Sequence, residues 1–393
     1  MNMKTNSELL EEFQLTRNLK PESMKVYRAA VKLYTTFNQM TLAELLHEAE
    51  DEEYKRLLWK DRTLKERLIK FRAFLNQTYK KSYAIKSLSR ILTIYDTFFI
   101  ELGKLPDASN INYIEPAPLK FSDLLTKVII KDAYELSDNL MQAILLFQAS
   151  SGCAIQETIN LTINQFIEAT NEFHSNKDII SILAELKEQN NVVPIFELER
   201  QKTGKHYYTF CSPEAVTSIV NYLISERIEY DNNQPIPFKL NPDDKLFDIN
   251  KVTLFKKYQK LNNQLQLGKK GTYNRMRSHM LRKFHASSLK NDGMDKYDVN
   301  SMQGKGLNST DEAYFFEDPK KLREKYVEHL EAVLIVNDAN VVNIKSPEVL
   351  QLEHENEMLR KQNLETNKRI DNLEKLVLGN ISDDKLAKLD KLL

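Results

Sequence analysis

The sequence predicts a mainly α-helical protein with one small β-sheet and a C-terminal coiled-coil helix. Three observations lead to this prediction. Apolar residues recur every three to four positions over most of the 393 residues, as on the buried face of an amphipathic helix. The segment 192–210 instead has two apolar runs around a glycine-containing turn, which is typical of a β-hairpin. The last helical segment repeats every seven residues. A chain of this length can bury two or three separate cores.

Residues 1–105 are predicted to form a helical domain. Its helices are indicated by the segments SELLEEFQL, ESMKVYRAAVKLYTTF, LAELLHEAEDEEYKRLL, LKERLIKFRAFLNQTY and YAIKSLSRILTIYDTFF. Thr41 and Ser82 stand directly before the third and fifth segments and are predicted N-caps, because a hydroxyl there can accept a bond from a backbone N–H. On the fifth helix, Lys86 and Arg90 share the face opposite the apolar residues.

A linker is predicted at 106–118, because the stretch 105–120 contains three prolines and no helical or strand periodicity. The second domain, 119–345, is predicted to be mainly helical. Its first apolar helix ends near Gly152, a plausible C-terminal glycine, and QETINLTINQFIEAT follows as a second helical segment.

The hairpin of this second domain is predicted from NVVPIFELERQKTGKHYYTF, in which the turn Lys202-Thr-Gly-Lys205 separates two apolar runs. The next helix is predicted to begin at Ser212-Pro213-Glu214. These residues supply an N-cap, a proline at the first helical position and an acid in the first turn.

The segment 346–379 is predicted to be a coiled coil, followed by a tail, 380–393. Its a positions are Val349, Asn356, Asn363, Ile370 and Val377, and its d positions are Leu352, Leu359, Thr366 and Leu373. Asparagine at a positions specifies register or partner number at a cost in stability. We therefore favour a self-associating coiled coil, and a homo-oligomer, over a helix packed on its own domain.

Composition places the chain among soluble proteins of a reducing compartment, and we expect it in the cytoplasm. Its two cysteines, Cys153 and Cys211, are too few for a disulfide framework or a thiolate metal site. The N-terminal MNMKTNSELLEEF lacks the apolar core of a signal peptide. No segment approaches the roughly 20 apolar residues that a membrane-spanning helix needs, so no membrane association is expected.

The formal net charge is zero, but the charges are segregated. The segment 251–291 contains eleven lysines and arginines and no aspartate or glutamate. Such a block favours binding to a polyanion, with nucleic acid as the leading interpretation and a solvated basic surface as the alternative. The candidate DNA-binding residues are Lys86, Arg90, Lys205, Lys269, Lys270, Arg275, Arg277 and Lys283. For Lys86 and Arg90, an ordinary solvated helix face is an equally good interpretation.

Four residues in the C-terminal half are candidate catalytic groups: His279 and Arg282 in HMLRKFH, Lys305 in MQGKG, and Tyr314 in TDEAYFF. A phenol can attack a phosphodiester, an arginine can hold the non-bridging oxygens, and nearby bases can move protons. Lys202 or Lys205, in the hairpin turn, could protonate the leaving oxygen. Each residue alone is a weak signal, since surface histidines, lysines and arginines and core tyrosines are common. Their joint spacing is what indicates a phosphoryl-transfer site.

These motifs resemble those of the tyrosine recombinases, or phage-type integrases, and specifically their archaeal branch. SSGCAIQETINLT resembles the first box of that family, RQKTGKHYYTF its lysine hairpin, HMLR its second box, MQGK its glycine-base step and DEAYFFEDPKKLREKY its nucleophile segment. The resemblance covers about 119–330. The helical region before it resembles the family's N-terminal core-binding domain, which would close with the catalytic domain around duplex DNA.

The resemblance implies a site-specific recombinase or integrase that breaks and rejoins double-stranded DNA through a 3′-phosphotyrosyl intermediate. Tyr314 would be the nucleophile, with Arg282, His279 and Lys305 stabilising the phosphate and Lys202 protonating the leaving 5′-oxygen. No metal or nucleotide cofactor would be needed. Several protomers would act together on two duplexes.

The first box departs from the family pattern, because Ala154 and Ile155 stand where an arginine is expected. Losing one donor to developing charge typically lowers a rate by about 100-fold or more. Three interpretations remain open. In the first, the chain is a recombinase of reduced activity, helped by Arg275 or Arg277. In the second, it is a degenerate integrase that binds and bridges DNA. In the third, it is a structural or regulatory protein that acts through its coiled coil.

Overall fold

The computed structural model describes residues 4–108, 118–175, 178–201, 203–228, 230–231, 234–235, 240–305 and 318–336. The chain divides into two compact units, Met1–Pro118 (unit 1) and Leu119–Leu393 (unit 2). Both are mainly helical, and the only sheets in the described ranges are two-stranded, so the predicted mainly α architecture with a small sheet is confirmed. The predicted coiled coil and tail, 346–393, lie outside the described residues. No helix in the described ranges is long and apolar enough to cross a membrane.

Unit 1 contains the five helices that the sequence predicts. They are α1 (Asn6–Thr16), α2 (Pro21–Asn38), α3 (Leu42–Tyr54), α4 (Thr63–Thr78) and α5 (Lys81–Thr97), with a 3-10 turn at Trp59–Asp61. Their apolar faces meet in one core that includes the fully buried rings of Phe13, Phe71, Tyr34 and Tyr95. The hydroxyls of Tyr34 and Tyr95 lie 3.2 Å apart, which satisfies two polar groups inside this core.

One of the two predicted N-caps in unit 1 is confirmed and the other is wrong. Thr41 accepts a bond from the backbone N–H of Glu44, whose carboxylate accepts from Thr41 N in return. Helix α5 begins two residues earlier than predicted, at Lys81, and its N-cap is Lys80, which makes no side-chain capping bond. Ser82 therefore lies within the first turn, where its hydroxyl is not in the capping position.

Unit 2 is built around a buried helix. Its helices are α6 (Lys127–Glu135), α7 (Asn139–Ser151), α8 (Ile155–Asn160), α9 (Ile163–Ala169), α10 (Ile179–Lys187), α11 (Pro213–Tyr222), α12 (Lys251–Gln264), α13 (Ser278–Asn291), α14 (Lys296–Met302) and α15 (Pro319–Glu328). Almost every residue of α7 is buried, and α11 and α13 pack against it. Helix α7 ends at Gly152, as predicted, in the left-handed conformation with φ +66°.

The predicted hairpin is present as β1 (Ile195–Arg200) and β2 (Lys205–Phe210), paired antiparallel from Ile195–Phe210 to Arg200–Lys205. Two shorter pairs complete the strands: β3 (Tyr230–Asp231) with β4 (Gln234–Pro235), and β5 (Lys269–Lys270) with β6 (Tyr273–Asn274). The predicted start of α11 is also confirmed, since Ser212 caps the helix ahead of Pro213.

The single helical segment predicted over QETINLTINQFIEAT is instead two helices, α8 and α9. The chain extends at Leu161 and Thr162, where Thr162 bridges to Lys245 and Ile163 N donates to the carbonyl of Asp244. Thr162 then caps α9. A tertiary contact with a distant segment thus replaces the local continuation of the helix, which helical periodicity alone does not reveal.

Candidate active site

Helix α13 carries the HxxR pair and directs its two members differently. Met280, Leu281 and Phe284 are buried against α7, which fixes the rotation of the helix. Arg282 consequently points inward and is only 7% exposed, whereas His279, in the first turn, is exposed at the surface. Partial burial, followed by the charges of neighbouring cations, lowers the pKa of His279. A neutral imidazole is therefore favoured at neutral pH, able to accept or donate one hydrogen bond.

Arg282 connects three parts of the sequence. Its Nη1 donates to the carbonyl of Gly152, 2.6 Å away, at the end of α7. Its Nη2 donates to the carbonyl of Gln303, just after α14. The Arg282 guanidinium thus brings together the first box, the HxxR box and the glycine-base step. The first and last of these are more than a hundred residues apart in the sequence. Burial lowers the pKa of Arg282, but an arginine remains charged at any physiological pH.

Both glycines of these boxes are required by close contacts as well as by their backbone conformation. A Cβ on Gly152 would lie 2.5 Å from Nδ1 of His285 and 2.9 Å from Nε2 of Gln303. Gly304 also has positive φ, +57°, and a Cβ there would lie 2.7 Å from Cδ1 of Tyr207. Other residues would strain the left-handed conformation and push apart the side chains around Arg282.

Gln303 lies at the centre of the cluster and was not singled out by the sequence. It is almost fully buried, and its Nε2 donates to the carbonyl of Arg282 at 3.0 Å and to Nδ1 of His285 at 3.1 Å. Because an amide nitrogen only donates, His285 is the neutral tautomer with its proton on Nε2. Burial lowers the pKa of His285 to about 3, so this tautomer persists at neutral pH. Gln303 thus locks the HxxR helix to the glycine-base step.

Lys305 follows Gly304 at the edge of this cluster and is half-buried. Its Nζ donates to Oδ1 of Asn300, 3.3 Å away, and Lys290 donates to the same oxygen at the same distance. Burial, and then the charges of Arg282, Lys290 and Arg200, lower the pKa of Lys305 to about 8. A lysine with this pKa can both hold a phosphate oxygen and exchange a proton near neutral pH.

Arg200, the last residue of β1, is a second site residue that the sequence analysis missed. Its Nη1 donates to the carbonyl of Gly304 at 2.8 Å and to that of Gln303 at 3.4 Å. A signal was available, because Phe196 and Leu198 are buried and the period of two along a strand puts Arg200 on the same face.

The first box lies beside the cluster but contributes no cation. Ala154 is the N-cap of α8, two residues after the carbonyl that Arg282 binds, and its side chain has no donor. Glu157, one turn further on, is 8% exposed, and its Oε2 has no hydrogen-bond partner among the residues that the structure describes. Ala154 and Ile155 thus occupy the positions where the resemblance leads us to expect an arginine, in a box whose glycine and glutamate lie close to Arg282.

Several candidate DNA-binding residues form contacts within unit 2. Arg275 donates to the backbone carbonyls of residues 122, 123 and 124. Lys270 pairs with Asp123 at 2.7 Å, and Arg277 donates to the carbonyl of Asn274 and lies over the Tyr273 ring. Counter-charges absent from the local sequence are therefore supplied by a segment more than a hundred residues away.

The remaining candidates lie at or near the surface. In unit 2, Lys269 is exposed, and Lys283 and Lys205 are partly buried. In unit 1, Lys86 is exposed and Arg90 half-buried on α5, opposite the buried Ile91 and Tyr95. Two proposed catalytic residues, Tyr314 and Lys202, lie outside the described residues.

Comparison with known proteins gave matches only among solved structures. No protein-family model and no curated protein matches the chain. The chain is similar to the XerA recombinase (17% identity, 82% of this chain, 97% of that chain, TM-score 0.32). It is also similar to the XerH site-specific recombinase bound to a palindromic difH substrate (14% identity, 81% and 83%, TM-score 0.46). A third similar structure is the Tn1549 transposon integrase in complex with circular intermediate DNA (14% identity, 83% and 100%, TM-score 0.39). All three are tyrosine recombinases, the family whose sequence boxes this chain resembles.

Proposed function

We propose that this chain is a tyrosine recombinase, a DNA strand transferase in which Tyr314 attacks a phosphodiester of double-stranded DNA. The observation that carries the proposal is the meeting of three separated boxes at the Arg282 guanidinium, which donates to the carbonyls of Gly152 and Gln303. Arg282 and Lys305 stand there together, anchored by Gly152 and Asn300. Cations held in place beside one another, before any substrate binds, suit a phosphate whose charge grows in the transition state.

The step proceeds by exchange of one phosphodiester for another. The phenol oxygen of Tyr314 bonds to phosphorus and gives up its proton to solvent water, the bond from phosphorus to the 5′-oxygen breaks, and that oxygen takes up a proton. Arg282 and Lys305 hold the non-bridging oxygens, and His279 donates or accepts one hydrogen bond beside them. Lys202 gives the proton to the leaving oxygen. The 3′-phosphotyrosyl bond conserves the energy of the original bond, so attack by a free 5′-hydroxyl of a second strand completes the exchange.

Unit 1 supplies further DNA contacts in this proposal. Lys86 and Arg90 lie on the side of α5 that faces away from the core, so they are available to the phosphate backbone. The segment 346–379 supplies self-association, because recombination between two duplexes requires several protomers. Sedimentation of the chain with and without 346–393 tests this second role.

The test of the reaction uses DNA selected by the protein itself. The full-length Tyr314→Phe variant selects tightly bound duplexes from a randomised pool, and each selected duplex is then nicked at successive positions. A nick next to the cleaved phosphate lets the short product diffuse away, which leaves the protein joined to DNA. Wild-type protein should give a denaturant-resistant adduct at one nick position, with the DNA on Tyr314 by mass spectrometry, and Tyr314→Phe should give none.

Two results would contradict the proposal. In the first, wild-type protein binds the selected duplexes tightly but forms no adduct at any nick position, which would leave DNA binding or bridging as the function. In the second, no duplex binds better than the unselected pool, so a DNA-directed role falls altogether. The salt dependence of binding, which should be steep for phosphate contacts, separates specific binding from weak adsorption.

A further inference from the structure

Two arginines meet at one backbone oxygen in unit 2. Arg282 and Arg200 both donate to the carbonyl of Gln303, from α13 and from the end of β1 respectively. Their guanidinium groups therefore lie side by side, although their positions are 82 residues apart in the sequence. The first box, whose arginine is absent, ends beside the same cluster at Gly152. The site thus has a second guanidinium, but from a different element.

Arg200 retains most of its hydrogen-bonding capacity. A guanidinium has five N–H donors, and among the residues that the structure describes only Nη1 of Arg200 is engaged, by the carbonyls of Gln303 and Gly304. In the ranges that the structure covers, Nε and Nη2 of Arg200 have no partner, and no carboxylate pairs with its charge. The free edge of a fixed guanidinium is suited to two oxygens of a phosphate.

Two other cations, Arg282 and Lys305, lie close enough to Arg200 to interact with its charge. The positive charge of Arg200 contributes to a lowered pKa of both Arg282 and Lys305, as expected for three cations that lie close together. Such crowding is unfavourable in the free protein and is relieved when an anion enters. Glu157 is the nearby acid, and it pairs with none of the three in the described ranges.

The hairpin fixes where Arg200 stands. It is the last residue of β1, opposite Lys205 in the register, and shares the inward face with Phe196 and Leu198. The other two arginines considered as replacements for the missing one are occupied. Arg275 holds three carbonyls between residues 122 and 124, and Arg277 holds the carbonyl of Asn274 and covers Tyr273.

We propose that Arg200 is the second phosphate-binding arginine of this site and takes the place of the arginine missing at 154 or 155. The assignment rests on the proposed function for its substrate, the scissile phosphate of duplex DNA. It makes Arg200 a catalytic residue that contacts a non-bridging oxygen, and Ala154 a position that the reaction no longer uses.

The experiment crosses a protein change with a substrate change. Arg200→Ala removes the guanidinium, and a methylphosphonate at the cleaved position replaces one charged oxygen of the phosphate with a neutral methyl group. An arginine that neutralises this oxygen has nothing to neutralise in the methylphosphonate. Arg200→Ala should therefore slow adduct formation by about 100-fold or more on the phosphate substrate and change it little on the methylphosphonate. Arg200→Lys should recover part of the loss, because lysine keeps the charge but not the planar fork.

The matched control is Arg227→Ala. The guanidinium of Arg227 also donates to a backbone carbonyl, that of Lys245 at 3.0 Å, but not in the cluster around Gln303. Arg227→Ala should not slow adduct formation on either substrate. If Arg200 only fastens the hairpin to the Gly304 turn, Arg200→Ala would be slow on both substrates alike, and the assignment would be overturned. A wild-type rate for Arg200→Ala on the phosphate would overturn it as well.

A binding experiment tests the assignment of Arg200 independently of the cleavage reaction. The same cross is made in the Tyr314→Phe background, with affinity for the selected duplex as the readout. If Arg200 contacts the charged oxygen, the two changes should not be additive. The loss of binding free energy with Arg200→Ala and the methylphosphonate together should differ from the sum of the two separate losses. If wild-type protein forms no adduct, the proposed function falls while this arm still decides the assignment. Strict additivity in the binding arm, together with no rate coupling, would refute it.

Discussion

Replacing Gly152 with alanine tests how tightly the first box is packed against the rest of the site. Gly152 has φ +66°, and an added Cβ would lie 2.5 Å from Nδ1 of His285 and 2.9 Å from Nε2 of Gln303. Neither neighbour is the free end of a flexible side chain. The His285 ring is fully buried, and Gln303 donates to both His285 and the carbonyl of Arg282. The substitution must therefore displace the bonds that hold Arg282.

The expected cost has two parts. A left-handed backbone costs a residue with a Cβ about 1–2 kcal/mol, and overpacking a close-packed interior costs about 1–3 kcal/mol. Together they predict a loss of about 2–5 kcal/mol in the free energy of unfolding of unit 2. Gly268→Ala is the matched control, since Gly268 has the same φ, +66°, with no atom within 4 Å of the added Cβ. It should show only the first part.

Unfolding in urea measures both variants, with circular dichroism following the helices. The single tryptophan, Trp59, belongs to unit 1 and donates from Nε1 to the carbonyl of Lys104. Its fluorescence should give the same transition in all three proteins, which checks that the effect is confined to unit 2. If Gly152→Ala and Gly268→Ala cost the same, the added Cβ meets no obstacle, and the tight contact between the first box, His285 and Gln303 would be refuted.

Two further predictions concern Lys305 and the caps of unit 1. Because the pKa of Lys305 is lowered from its usual 10.5 to about 8, the free protein loses this positive charge as the pH rises through about 8. The affinity of the protein for duplex DNA should therefore weaken over that pH range. A Lys305→Arg variant stays charged, so the same weakening in that variant would exclude Lys305 as the source. Thr41→Ala should lower the free energy of unfolding of unit 1 by about 1 kcal/mol, whereas Ser82→Ala should change it by less than about 0.5 kcal/mol. Trp59 fluorescence follows the unfolding of unit 1 in both variants. Equal losses would contradict the observed caps.

The fold could be predicted from the sequence wherever local pattern decided it. The helices of unit 1 follow the three-to-four spacing of their apolar residues, and the hairpin follows two apolar runs around Gly204. The errors occurred where a distant contact or a single backbone angle decided the outcome. Thr162 leaves the helical path because it pairs with Lys245, and α5 begins at Lys81 rather than after Ser82. Neither is visible in the local periodicity.

The candidate site shows the same division. The spacing of His279, Arg282 and Lys305 identifies the residues, because motif members keep fixed distances along one stretch of chain. Gln303 carries no charge, so nothing in its chemistry marks it in the sequence, although its carbonyl and side-chain amide make four hydrogen bonds with three residues. Arg200 is brought into the cluster by the pairing of two strands, which sets its face but not its neighbour. The neighbours of both residues could be recognised only after the chain was folded.

The backbone anchoring of Arg282 bears on the proposed role of Arg200 as a second phosphate-binding arginine. A buried guanidinium is costly unless its donors are satisfied, and here two carbonyls, of Gly152 and Gln303, satisfy part of it without cancelling its charge. A carboxylate partner would have neutralised the arginine and competed with a phosphate. Carbonyls instead fix its direction and leave Nε and two further N–H groups available. Arg200 is anchored in the same manner, by Gln303 and Gly304, so both guanidinium groups are oriented before substrate arrives. Since preorganised donors contribute most where charge develops, the proposed role of Arg200 depends on its fixed position beside Arg282 rather than on the element that carries it.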